Sequence, residues 1–212
     1  MDFEGSVMKK ELDYFTIEGE FGGNQEWFTN VVMYIGGCGA ATACDCSIYL
    51  TKEKGFQNIY PYDVENLSKA DYRKFSQIMK PYIRPRMQGV RKLSWFIEGF
   101  GQYLQDVHAA PGLTMSEFPG EKSVEEAEAF ITEQIDNGMP IPCLLLHHHD
   151  REKFKDYIWH WFVIVGYEKE GVDFKIKIAT YGEAVEFSLA EMWNTGFDDK
   201  GGLVKLSIAD NL

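Results

Sequence analysis

Several features are scarce in this chain of 212 residues, and each scarcity excludes something. No window holds the roughly 18 or more apolar residues that a membrane-spanning helix needs. Bases are outnumbered, 21 Lys and Arg against 33 Asp and Glu, and the formal net charge is -12. That balance argues against general affinity for nucleic acid or anionic lipid, both of which need basic patches. Only four cysteines occur, and three crowd into Cys38, Cys44 and Cys46, which is no evenly spaced disulfide framework. Met1 to Leu12 mixes acids and bases without an apolar run, so no leader is expected, and a reduced, cytoplasmic setting is. There is no internal repeat, no low-complexity tract, no Cys-x-x-Cys and no His-Glu-x-x-His.

What is present suits a large core: 45% hydrophobic residues, with 15% aromatics. The length suits a single domain over 1–212. Its first part, about 25–138, reads as helical and its second, about 139–212, as a sheet. Residues 1–24 are polar and glycine-punctuated, with a short strand near Tyr14 to Ile17. Gly39 to Leu50 reads as a helix ended near Lys54-Gly55, and Asp63 to Met79 as a second, capped at Asp63. Val90 to Asp106 carries Leu93, Phe96, Ile97, Phe100 and Leu104 at amphipathic spacing. Ala109 to Lys122, with two prolines and two glycines, reads as loop. Ser123-Val124-Glu125-Glu126 has the form of a capping box, opening a helix to about Asp136 that Asn137-Gly138 stops. Strand character follows at 141–146, 159–167, 174–180, 185–187 and 203–208, with a short helix over Ser188 to Trp193. Helices first and an antiparallel sheet later predict an α+β fold.

Chemistry concentrates at Cys38, in Gly36-Gly37-Cys38-Gly39-Ala40-Ala41-Thr42-Ala43. A thiol is nucleophilic as thiolate, and a helix start favours the anion, so a lowered pKa is expected there. Flanking glycines leave room for a substrate carbonyl, and the alanines let the helix pack closely on a sheet. An ordinary buried cysteine is the competing reading. In a helix, Cys44 and Cys46 point roughly 240° and 80° away from Cys38, too splayed for a compact metal site. Cys143 lies in an apolar strand and reads as core. His160 opens the most apolar strand; alone it reads as a satisfied core residue, and with the Cys38 pattern upstream it is the candidate base. His147-His148-His149-Asp150 invites a metal reading, since His147 and His149 would share a strand face, but a solvated strand end is favoured. The bases from Lys80 to Lys92 (Arg84, Arg86 and Arg91 among them) read as a solvated helical face or loop. The segment Gln57 to Lys122 is expected to cap or flank the cleft; its Tyr60, Tyr62, Tyr82, Trp95 and Phe96 could line it, with a core role favoured.

Four segments resemble, in order, papain-like cysteine peptidases of the bacteriocin-processing (double-glycine-peptidase-like) branch. Cys38-Gly39-Ala40-Ala41-Thr42-Ala43 resembles the start of the active-site helix, with Ala40 where that pattern has proline. Ile135 to Ile141 is similar to the turn before the histidine strand, His160 to Tyr167 to that strand, and Phe187 to Trp193 to the closing turn and helix. The resemblance covers about residues 25–206. It implies a papain-like α+β fold, a nucleophile helix carrying Cys38 packed on a C-terminal antiparallel sheet, His160 as base and a thioester acyl-enzyme. It implies a peptide or amide substrate and no cofactor or metal; oligomeric state stays open. Gln25 would supply an oxyanion donor, though it lies thirteen residues before Cys38, farther than the family places it, with an inserted turn over Val31 to Ile35 absorbing the excess. The family's Asp or Asn partner of the histidine falls on Thr180. A threonine hydroxyl accepts the imidazole N–H but brings no full charge, and Glu183 is the nearby alternative. A peptidase or amidase is the first expectation. An acyltransferase on the same fold and a non-catalytic papain-fold binding protein are the alternatives.

Overall fold

The computed structural model describes residues 7–86, 89–109 and 112–208. Two short hairpin strands, β2 (Thr16–Ile17) and β3 (Glu20–Phe21), follow β1 (Met8–Glu11). Helices α1 (Val31–Gly36), α2 (Cys38–Lys54), α3 (Lys69–Met79) and α4 (Leu93–Asp106) lead to β4 (Leu113–Pro119). Then come α5 (Val124–Asp136), β5 (Ile141–Leu145), α6 (Arg151–Phe154), β6 (His160–Glu170), β7 (Asp173–Thr180), β8 (Glu183–Ser188), α7 (Leu189–Trp193) and β9 (Gly201–Ile208).

The described residues form a seven-stranded antiparallel sheet in the order β4-β9-β5-β6-β7-β8, with β1 also on β6. β5 covers the first half of β6, pairing Leu145 with His160 and Ile141 with Ile164. β1 takes over where β5 ends, pairing Glu11 with Gly166. Such a strand is buried on both faces and reads as a continuous apolar run, as β6 does from His160 to Val165. The architecture is α+β, as the element pattern predicts. The sheet also draws β1 and β4 from the first part of the chain, so it is not confined to 139–212. No helix of the described residues is long and apolar enough to cross a membrane.

The central helix α2 is buried almost all round, which suits its Ala, Thr, Cys, Ile and Leu content. It ends at Gly55, in the left-handed conformation that glycine adopts freely. Ser123 and Glu126 form the expected capping box at α5. Two expectations fail. Asp63 caps only a turn, accepting from the Glu65 N–H and the Asn66 amide, while Ser68 caps α3. The stretch read as loop holds β4, every residue of which pairs with β9.

Candidate active site

Cys38 stands at the first position of α2 because the chain turns sharply just before it. Asn30 caps α1 through the Met33 N–H, and Gly37 joins the two helices. A Cβ on Gly37 would collide with the Met33 carbonyl, so the close junction requires glycine. The turn expected over Val31 to Ile35 is thus the short helix α1.

Cys38, His160, Thr180 and Gln25 line one cavity of about 20 Å3, together with Gly23, Asp45 and Tyr181. Cavities of that measure hold about one water molecule. Each candidate comes from a different element: Cys38 opens α2, His160 opens β6, Thr180 ends β7, and Gln25 starts a short helical turn over Gln25–Trp27. Cys38 and His160 are each 5% exposed and Thr180 6%. His160 Nε2 lies 2.8 Å from Thr180 Oγ1. Glu183, directly opposite Thr180 in the hairpin register, is exposed and is not the partner.

Burial decides the electrostatics. It pushes the Cys38 thiol up, outweighing the backbone N–H groups of Trp161, Gly39 and Cys38 itself, which pull it back. The lowered thiol expected from the helix start is therefore corrected: desolvation wins. The same burial drops His160 to about 3. In this closed arrangement the two groups are a neutral thiol and a neutral imidazole.

Gln25 reaches the cavity by a route the sequence hides. Asn24 caps its turn through the Glu26 N–H and gives its own amide to the Tyr181 carbonyl at 3.0 Å. Gln25 Nε2 donates to the Tyr34 carbonyl at 3.1 Å, and its buried Oε1 receives no hydrogen bond from the described residues. An amide nitrogen carries two hydrogens, so one remains for another acceptor.

Sequence reading missed two cavity residues. Asp45, 4% exposed, lies seven residues along α2 from Cys38, so nearly on the same face. Its carboxylate accepts from Tyr72 Oη at 2.7 Å, Tyr14 Oη at 3.1 Å and the Gly23 N–H at 3.1 Å. Burial raises Asp45 to about 6, against these three bonds, which hold it down. Gly23 must be glycine, since a Cβ there would collide with the Tyr72 hydroxyl and Asp45. Tyr181 is the other. Tyr181 and Gly182 form the two-residue loop between β7 and β8, both with positive φ, 53° and 77°, a conformation that glycine adopts freely and a bulky tyrosine rarely does, so no usual turn dipeptide marks it in the sequence. The Tyr181 hydroxyl donates to the Asp156 carbonyl at 3.2 Å and lies 3.4 Å from His160 Nδ1.

The remaining candidates lie elsewhere. Cys44, Cys46 and Cys143 are buried, and none of the four cysteines is bonded to another. β5 stops at Leu145, so His147 and His149 share no strand face; beyond the strand end His147 is half-buried and His149 exposed. His148 is buried, with Nε2 2.9 Å from the Glu191 carbonyl and Nδ1 accepting from the Asp150 N–H at 3.0 Å. No group of three or more His, Cys, Asp or Glu among the described residues could hold a metal ion. Tyr60 and Phe96 are core, and none of the five aromatics singled out lines the Cys38 cavity.

Comparison with known proteins finds no family model that matches the chain and no curated protein that matches it.

Proposed function

We propose that this chain is a cysteine-dependent hydrolase of the peptidase or amidase class on a papain-like scaffold, with Cys38 as nucleophile and His160 as base. The observation that carries the reading is the convergence of Cys38, His160, Thr180 and Gln25, far apart in sequence, on one cavity. The four resembling segments along the chain support it.

With its proton on Nε2, His160 donates to Thr180 and leaves Nδ1 to take the proton of the Cys38 thiol. The sulfur attacks the amide carbonyl carbon, and the displaced electron pair goes to the oxygen. The Cys38 backbone N–H and the second hydrogen of Gln25 Nε2 are the donors for that charge. Collapse expels the amine, protonated by His160, and leaves a thioester. Water then attacks with His160 again as base and releases the acid and the thiol. Because burial opposes both a thiolate and an imidazolium, proton transfer accompanies attack instead of preceding it. An amine in place of water makes the same thioester serve acyl transfer.

A specific observation favours a second reading. The neutral, buried pair and the small cavity suit a papain-fold binding protein without catalysis. The test is intact-mass detection of an acyl adduct after incubation with an activated aryl ester, followed by rates on peptide amides. Cys38 should carry the adduct, Cys38→Ala should lose it, and His160→Ala should slow its formation by about 10²–10⁴-fold. No adduct on Cys38 would favour the binding protein.

A further inference from the structure

The bases between Lys80 and Lys92 lie on an exposed loop segment and not on a helical face. Two of them, Arg84 and Arg86, line one side of an open groove of about 310 Å3 between the segment after α3 and the exposed side of α4. That volume lies at the lower end of the range typical of small-ligand sites. Arg84 and Arg86 come from the segment, and Trp95, Glu98 and Gln102 from α4.

The two guanidinium groups are held in place without being neutralised. The Arg86 guanidinium carbon lies 3.8 Å from the centre of the Trp95 ring, a cation–π contact that holds the group without cancelling its charge. Arg84 donates Nε to the Pro81 carbonyl at 3.0 Å, which fixes its orientation and leaves its terminal nitrogens. Neither forms an ion pair with a carboxylate among the described residues, although acids outnumber bases 33 to 21 in this chain. Lys92 adds a third positive charge, 5.4 Å from the centre of the same Trp95 ring. The nearby acid Asp106 is occupied by neutral donors, Tyr82 Oη at 2.9 Å and Gln102 Nε2 at 2.7 Å, and does not line the groove. Glu98 does line it, as its one acidic group, and forms no ion pair with either arginine.

We infer that this groove binds an oxyanion, a carboxylate or a phosphate, carried by a small ligand whose flat apolar part rests near Trp95. Arg84 and Arg86 supply the paired N–H edges that suit a two-oxygen group. Glu98 repels that group and sets an upper limit on affinity. The inference is independent of any role for Cys38.

The probes are phenyl phosphate and benzoate, with benzyl alcohol as the neutral control. Each is titrated into the full chain while the arginine Nε–H and tryptophan indole resonances are followed by NMR. Saturable shifts at Arg84, Arg86 and Trp95 are expected with the anions and not with the alcohol. The tighter of the two anions identifies the group. Arg86→Gln should weaken binding about tenfold, as loss of one charge-assisted pair does, and Glu98→Gln should tighten it. Absence of saturation with both anions would overturn the inference, as would an equal response to the alcohol or unchanged binding in Arg84→Gln and Arg86→Gln.

Discussion

The ring of Tyr181 lies flat against the imidazole of His160, with centroids 4.6 Å apart and planes 3° from parallel. Tyr181 is thus one of the groups that keep water from the proposed base. Tyr181→Ala should raise the His160 midpoint from about 3 towards its ordinary value of about 6.5, followed by NMR of the imidazole Cε1–H. Tyr181→Phe keeps the stacked ring and should move it less. A midpoint unchanged in the alanine variant would assign the dryness of the site to β6 and α2 alone.

Thr180 is the partner of a ring nitrogen that has left water. Thr180→Val removes the hydroxyl at nearly constant volume and strands that nitrogen, at a cost of about 1–3 kcal/mol in urea unfolding. Thr180→Ser should recover most of the loss. Catalytic rate on any turned-over ester should follow the same order, since the hydroxyl fixes which nitrogen carries the proton. Equal stability of the valine and wild-type proteins would show the hydrogen bond to contribute nothing.

Asp45 gives the fold a pH dependence of defined sign. Its folded value of about 6 exceeds the unfolded 3.8, so the folded state binds the extra proton between those values. Stability from this group is therefore present at acid pH and is lost as pH rises from about 4 to about 6, by about 3 kcal/mol. Asp45→Asn removes the titration. The stability difference between variant and wild type should shift in the variant's favour over that window, measured by urea unfolding at pH 4 and 7. His160 acts in the opposite direction, since its lowered value removes stability as pH falls below about 6.5, but it does so in both proteins. A difference that stays flat with pH would mean Asp45 titrates normally.

The raised Cys38 thiol predicts slow alkylation. At neutral pH, iodoacetamide should modify Cys38 more slowly than free cysteine, with the rate climbing only above the ordinary thiol value of about 8.5. Peptide mass mapping assigns the label among the four cysteines. A fast and pH-independent rate between about pH 5 and 7 would reveal a preformed thiolate–imidazolium pair instead.

Local chemistry made much of this legible in the sequence. The Ser123–Glu126 capping box, the small-residue run of α2 and the apolar run of β6 each follow from side chains near in sequence. β4 did not, because its strand character comes from β9, far along the chain, and its flanking prolines and glycines speak for a loop. Asp63 and Ser68 are both good helix caps, and the choice between them is made by contacts such as the Lys69 N–H to Glu18. At the site, Cys38 and His160 could be picked out by residue type and setting, while Thr180 and Gln25 came from the family resemblance. Asp45 could not: a single acid in a helix reads as solvated until Tyr14, Gly23 and Tyr72 close on it. The effect of burial on the Cys38 thiol was equally hidden, since the flanking residues tell of the helix start and not of the depth.

The Gly22 to Gln25 segment is tethered by groups outside the stretch that connects it to Cys38. Asp45 holds the Gly23 N–H, the Gly182 N–H donates to the Gly23 carbonyl at 3.1 Å, and Asn24 binds the Tyr181 carbonyl. The thirteen-residue offset between Gln25 and Cys38 therefore does not set their separation in space. Chain length and three-dimensional spacing are uncoupled here, so residues inserted before α1, around Thr29, should bulge outward and leave the two groups at the same cavity. A spacing rule read along the chain would discard a sequence whose geometry is intact.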